Sequence, residues 1–177
     1  MRPLIATALF LAATPAFATL SVGTKAPDFT TKGAVAGKAI DVHLADQLKR
    51  GPVVLYFFPA AFTGGCNAEA HAFAEAVDDF RKAGATVIGM TAGNVDKLEA
   101  FSSEKCAGKF AVAAAAPAVA QEYDVVLKKP DGSATGYTSR TSYVIGRNGK
   151  VAFVHSDMNP AEHVSMTLAA VRKLPAR

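Results

Sequence analysis

Tryptophan is absent from this 177-residue chain, and cysteine occurs only twice, at Cys66 and Cys106. Two cysteines allow at most one structural disulfide, and no Cys-x-x-Cys pair is present to suggest a thiol–disulfide exchange motif. The chain also lacks any long Lys/Arg run: its formal charge of +4 is scattered, which argues against a nucleic-acid partner. No apolar run approaches the roughly 20 residues needed to span a bilayer, so no stable membrane association is expected. His43, His155 and His163 are scattered without metal-ligand spacing and read as surface or packing residues, so neither a metal nor another cofactor is expected. Internal repeats, low-complexity linkers and charge blocks are missing too, which leaves one domain.

The first eighteen residues, MRPLIATALFLAATPAFA, combine Arg2, an apolar stretch from Leu4 to Ala13 and the small-x-small site Ala16-Phe17-Ala18. This is the pattern of a secretory signal peptide, so the expected organisation is a leader at 1–18 and a single domain at 19–177. Cleavage removes Arg2 and lowers the net charge to +3. An exported protein, in the periplasm of a bacterium, is the expectation.

Within the mature chain, Val53 to Phe58 is apolar without alternation and rich in β-branched and aromatic residues, which suits a strand buried on both faces. Phe73, Ala76, Val77 and Phe80 then recur at three- and four-residue spacing, predicting an amphipathic helix from about Cys66 to Lys82, ended by Gly84. Ala85 to Met90 reads as the next strand. Asn94 is expected to cap a second helix carrying Val95, Leu98 and Phe101, stopped by Gly108. Segments 142–145 and 151–154 flank an Asn148-Gly149 turn and predict an antiparallel pair, and Asn159-Pro160 is expected to open a terminal helix with Val164, Leu168 and Val171 on its apolar face. The fold class is therefore α/β, a mixed central sheet flanked by helices and built around one βαβ unit.

Pro59-Ala60-Ala61-Phe62-Thr63-Gly64-Gly65-Cys66 lies at the carboxyl end of the first of these strands, where such sheets collect their sites. The unpaired N–H groups and positive dipole end of a helix N-terminus favour the thiolate form of a cysteine placed there. Gly64 and Gly65 let a small ligand approach the backbone amides. Helical spacing turns Cys66 toward Phe73, Val77 and Phe80, which fits either a packed thiol or a poised nucleophile. His71 points away on the same helix and is no base for it. Cys106 falls near the end of the second helix, where the dipole disfavours a thiolate and fraying favours movement.

The motif P-x-x-x-T-x-x-C at Pro59, Thr63 and Cys66 resembles the peroxiredoxins, specifically the bacterioferritin comigratory protein or Q-like branch. Gly23-Thr24-Lys25-Ala26-Pro27-Asp28-Phe29 resembles that family's opening segment, and Arg140-Thr141-Ser142-Tyr143 its later arginine-bearing strand. Glu69 completes a Cys-x-x-Glu pattern.

The resemblance implies a thioredoxin-like fold and a thiol-dependent peroxidase acting on hydrogen peroxide and organic hydroperoxides. It implies Cys66 as peroxidatic cysteine, Thr63 as the hydroxyl bonding sulfur and peroxide, Pro59 as shield against bulk water, and Arg140 as the permanent charge beside the sulfur. Gly65 and Glu69 are supporting residues. Many members of this branch carry a resolving cysteine five residues after the first, where this chain has His71. Others resolve from the helix that here leads to Cys106, so Cys106 is the expected second cysteine of an atypical two-cysteine cycle. The expected partners are a small peroxide and an external thiol reductant, either a thioredoxin-like protein or a low-molecular-weight thiol. A non-catalytic thioredoxin-like module with a static disulfide and a thiol–disulfide oxidoreductase are the alternatives.

Overall fold

A computed structural model describes residues 19–175, so the expected leader at 1–18 lies outside the described residues. The strands are β1 (Thr30–Val35), β2 (Lys38–His43), β3 (Val53–Phe57), β4 (Thr86–Thr91), β5 (Ala111–Ala114), β6 (Val126–Lys128), β7 (Ala134–Thr138), β8 (Thr141–Ile145) and β9 (Val151–Ser156). The helices are α1 (Leu44–Arg50), α2 (Gly64–Lys82), α3 (Leu98–Glu104), α4 (Pro117–Glu122) and α5 (His163–Arg172). Seven strands form one mixed sheet in the order β2-β1-β5-β4-β3-β8-β9, and β6 and β7 form a separate hairpin.

The unbroken apolar run at β3 is explained by burial on both faces. Val54 and Tyr56, with Phe58 just beyond the strand, belong to the core under α2, α3 and α5, whereas Val53, Leu55 and Phe57 belong to the core under α1 and α4. Burying one such large side chain contributes roughly 1.5–3 kcal/mol. The sheet therefore carries two cores with β3 between them.

Helix α2 follows from an alanine- and glutamate-rich stretch of high helix propensity. Its buried face is Cys66, Glu69, Ala70, Phe73, Ala74, Val77 and Phe80, and it ends at Ala83 with Gly84 in the left-handed region at φ 79°. It crosses from β3 to a parallel neighbour, β4, and a second crossover through α3 adds parallel β5. There are thus two βαβ units where the sequence pattern showed one.

Three boundaries differ from the sequence expectation. Asn94 does not cap a helix; it adopts φ 56°, donates its side-chain amide to the Ala61 carbonyl at 2.8 Å, and precedes a single 3-10 turn at Val95–Lys97. Val95 is consequently 44% exposed and lies off the apolar face. Helix α3 ends at Glu104, so Cys106 lies beyond it, in a turn closed by the Gly108 N–H donating to the Ser102 carbonyl at 2.9 Å. Finally, α5 starts at His163, because Asn159 accepts from the Ala161 N–H and forms a turn with Pro160 ahead of the helix. Val164 and Leu168 are partly buried and Val171 fully so, as expected, but His163 and Thr167 are buried with them.

Candidate active site

Strand β3 pairs with β4 on one side and with antiparallel β8 on the other, in a register that sets Phe57 opposite Thr141. The carboxyl end of β3 therefore abuts the residue that precedes β8, which is Arg140. The loop leaving β3 reaches the first turn of α2 within a few residues, so strand pairing alone brings Arg140 to Cys66. Its guanidinium Nη2 lies 3.5 Å from Cys66 Sγ.

All three guanidinium nitrogens of Arg140 have an acceptor. Nη1 donates to Glu69 Oε2 in a short ion pair, Nε donates to the Met158 carbonyl at 2.9 Å, and Nη2 faces the sulfur. A planar fork held at three points cannot rotate away from its target. Arg140 is 4% exposed and Glu69 1%, so the pair is shielded from bulk water. Burial pushes the Glu69 carboxyl up to about 7, against the opposing pull of the Arg140 guanidinium.

The two glycines make room for this arrangement. A Cβ on Gly65 would come within 3.2 Å of Arg140 Nη2, whereas one on Gly64 would meet nothing within 4 Å. Gly65 thus admits the guanidinium to the helix N-terminus, and the approach over Gly64 is open.

Thr63 occupies the N-cap position of α2 but makes no side-chain capping bond. Its hydroxyl donates to the Ala60 carbonyl at 3.0 Å, which commits the proton and leaves two lone pairs able to accept. Pro59 is half-buried beside it, and its carbonyl accepts from the Thr91 hydroxyl at 2.9 Å. Phe62, at φ 63°, packs edge-on against Phe101 with centroids 5.4 Å apart, and the Lys105 ammonium lies 5.7 Å over its ring. The loop before Cys66 is thereby fastened to α3 and to the residue next to Cys106.

Cys106 is placed differently from Cys66. Both are free thiols in the same core, but burial is the one influence on the Cys106 thiol and pushes it well above the usual range. It is fully buried, beyond the end of the helix whose fraying was expected to let it move. Tyr56 is electrostatically close to both: burial drives its phenol well above the ordinary range, and Cys106, Glu69 and Cys66 push in the same direction. The Tyr56 hydroxyl is buried without a hydrogen-bond partner among the described residues. His71 is exposed and pairs with Glu75 at 3.3 Å, so it plays no part at the sulfur.

One residue of the site escaped the sequence reading. His163 is completely buried, with Nδ1 2.8 Å from Ser142 Oγ and 3.7 Å from Glu69 Oε1. The available signal was the four-residue spacing of His163, Thr167 and Val171, which puts an imidazole on the buried face of α5.

The described residues 22–154 match the model of the AhpC/TSA family. The chain belongs to this family. Among its relatives, chloroplastic peroxiredoxin Q of Sedum lineare is 30% identical over 159 residues, covering 89% of this chain and 81% of that protein. Chloroplastic peroxiredoxin Q of Arabidopsis thaliana is 33% identical over 153 residues, covering 86% and 67%. Among solved structures, the peroxidoxin BcpB of Mycobacterium tuberculosis superposes with a TM-score of 0.76 at 28% identity, covering 88% of this chain and 98% of that one. Peroxiredoxin Q of Xanthomonas campestris, at 23% identity and a TM-score of 0.67, shares the fold over 80% of this chain and 89% of its own. The thioredoxin-like architecture and the Q-like branch are thus those of a peroxiredoxin, an enzyme that reduces peroxides at the expense of thiols.

Proposed function

We propose that Cys66 is the peroxidatic cysteine of this peroxiredoxin and that Cys106 resolves it. The observation that carries the reading is the Arg140 fork, fixed at three points with one nitrogen 3.5 Å from Cys66 Sγ. The Cys66 thiolate attacks the terminal peroxide oxygen, an S–O bond forms, the O–O bond breaks, and the leaving oxygen takes a proton to become water or an alcohol. Arg140 attracts the thiolate and then the negative charge spreading over the oxygens, while the Thr63 lone pairs accept from the peroxide O–H.

The Cys106 thiol then condenses with the sulfenic acid, forming the disulfide and releasing water, and an external thiol protein or small thiol reduces it. Disulfide geometry needs Cα atoms about 4.4–6.8 Å apart. The turn after α3, with Ala107 and Gly108 both left-handed, is the segment that opens. Met158, whose carbonyl accepts from Arg140 Nε, is 50% exposed, and its apolar side chain suits organic hydroperoxides as well as hydrogen peroxide. We further propose export to the periplasm with cleavage after Ala18, which the mass of the protein in a periplasmic extract tests.

Intact mass after one equivalent of hydrogen peroxide tests the cycle. The reduced parent is expected to lose two hydrogens rapidly, and Cys106→Ser to gain one oxygen. Rapid oxidation of Cys66→Ser would reverse the assignment of the two sulfurs.

A further inference from the structure

Behind Cys66 lies a second buried polar group that the proposed peroxidase cycle leaves idle. Glu69 uses only one carboxylate oxygen on Arg140; its other oxygen, Oε1, is buried without a hydrogen-bond donor among the described residues, and it faces His163 Nδ1 at 3.7 Å. His163 Nε2 sits 2.9 Å from the Asp157 carbonyl, which can only accept, so Nε2 carries a proton. In the neutral ring Nδ1 then accepts from Ser142 Oγ at 2.8 Å. A carboxylate oxygen buried without a donor is costly, and one added proton, on Glu69 Oε1 or on His163 Nδ1, removes that cost.

Charge counting leads to the same place. With Cys66 ionised, Arg140 supplies one positive charge against two negative ones, the thiolate and Glu69, with all three side chains nearly fully buried. The other ring groups facing the pair are Tyr56 of β3, a neutral phenol, and His155 of β9, edge-on to His163 at 4.5 Å with its Nε2 buried and without a hydrogen-bond partner among the described residues. Asp157 presents its carbonyl to His163 while its carboxylate accepts from the Asn159 N–H. One additional proton makes the site neutral.

We propose that Glu69 and His163 form a buried carboxyl–imidazole pair that holds one proton while Cys66 is a thiolate and gives it up when the sulfur is oxidised. The inference rests on Cys66 being the peroxidatic cysteine. The step balances: thiolate, hydroperoxide and protonated pair become sulfenic acid, alcohol or water, and a deprotonated pair, with the pair losing the proton that the leaving oxygen gains. After oxidation the sulfur is neutral, and Glu69 and Arg140 remain as a balanced ion pair. Burial supports this placement of the proton, since it raises the Glu69 carboxyl to about 7 and lowers the His163 imidazole to about 4. The proton therefore rests mainly on Glu69. Both residues act as positioning residues, because neither touches the peroxide.

The test counts protons. Cys106→Ser protein, which stops at the sulfenic acid, is oxidised with hydrogen peroxide in weak buffer with a pH indicator, at pH values where the ultraviolet thiolate band shows Cys66 ionised. Net uptake is expected to be small below neutrality and to climb with pH toward about one proton per sulfur, whereas Glu69→Gln takes up about one proton throughout. Infrared difference spectra of the same Cys106→Ser protein, unaltered at Glu69, are expected to lose a protonated-carboxyl band on oxidation. Uptake of a full proton at every pH with no such band lost overturns the proposal. Undiminished peroxide consumption by Cys66→Ser would instead overturn the reading of Cys66.

Discussion

The surroundings of Cys66 and Cys106 differ far more than their exposure. The two sulfurs are 2% and 0% accessible and share one hydrophobic core. Yet Cys66 lies in the first turn of a 19-residue helix with a guanidinium against it, and Cys106 follows the end of a seven-residue helix with burial alone shifting its thiol. Burial therefore says little about which thiol reacts; the placement of one arginine says much more. On the proposed reading the contrast also divides the labour, since a sulfur held in a fixed site needs a partner that comes to it.

The largest expected effect separates the two sulfurs outright. Cys66→Ser is predicted to abolish peroxide consumption, whereas Cys106→Ser retains the first oxidation and loses the disulfide, as intact mass will show. Next comes the charge that distinguishes them. Arg140→Met removes a charge-assisted contact worth about 1.5–3 kcal/mol, so the second-order rate of Cys66 oxidation is expected to fall about 10- to 100-fold, measured by stopped-flow. Cys106 alkylation should not change.

Phe101 joins the two regions, stacking on Phe58 at 5.4 Å and meeting Phe62 edge-on. Phe101→Ala is predicted to lower the unfolding free energy by about 3–5 kcal/mol and to speed alkylation of Cys106 more than that of Cys66. Chemical denaturation and mass-resolved labelling check both halves.

The smallest effect concerns pH. The folded Glu69 carboxyl, raised to about 7, contributes stability that is present at acid pH and is lost as pH rises through that value. The folded His163, lowered to about 4, contributes stability that is present above its ordinary value of 6.5 and is lost as pH falls. Between about 4.5 and 6.5 the slopes oppose each other, so the denaturation midpoint should be nearly flat. Glu69→Gln is predicted to leave stability falling toward acid, and His163→Asn to leave it falling toward neutrality, each by about 1 kcal/mol per pH unit.

How much of this was legible depended on how far apart the cooperating residues lie in the chain. Strand β3, helix α2 and the glycines before Cys66 are local, and periodicity plus turn chemistry found them. The second crossover was blurred because Asn94 spends its side chain on the Ala61 carbonyl and a 3-10 turn interrupts the helical spacing. The edge hairpin β1–β2 turns at Ala36 and Gly37, both left-handed, and carries too few large apolar residues to stand out. Arg140 was reached through the family resemblance, since nothing in its own neighbourhood distinguishes it from a surface arginine. His163 was read only as a surface or packing residue, because its meaning comes from Glu69, 94 residues earlier, and Ser142, 21 residues earlier.

The pairing of β3 with β8, Phe57 opposite Thr141, acts as a ruler for the site. A slip of one residue would turn every buried side chain of β8 to the opposite core, so the smallest slip that keeps the cores is two residues, about 7 Å. That displacement would draw Arg140 away from the sulfur it now approaches at 3.5 Å. A misregistered chain would therefore be a complete fold that meets peroxide about as slowly as Arg140→Met, and activity per molecule reports the register of a single ladder.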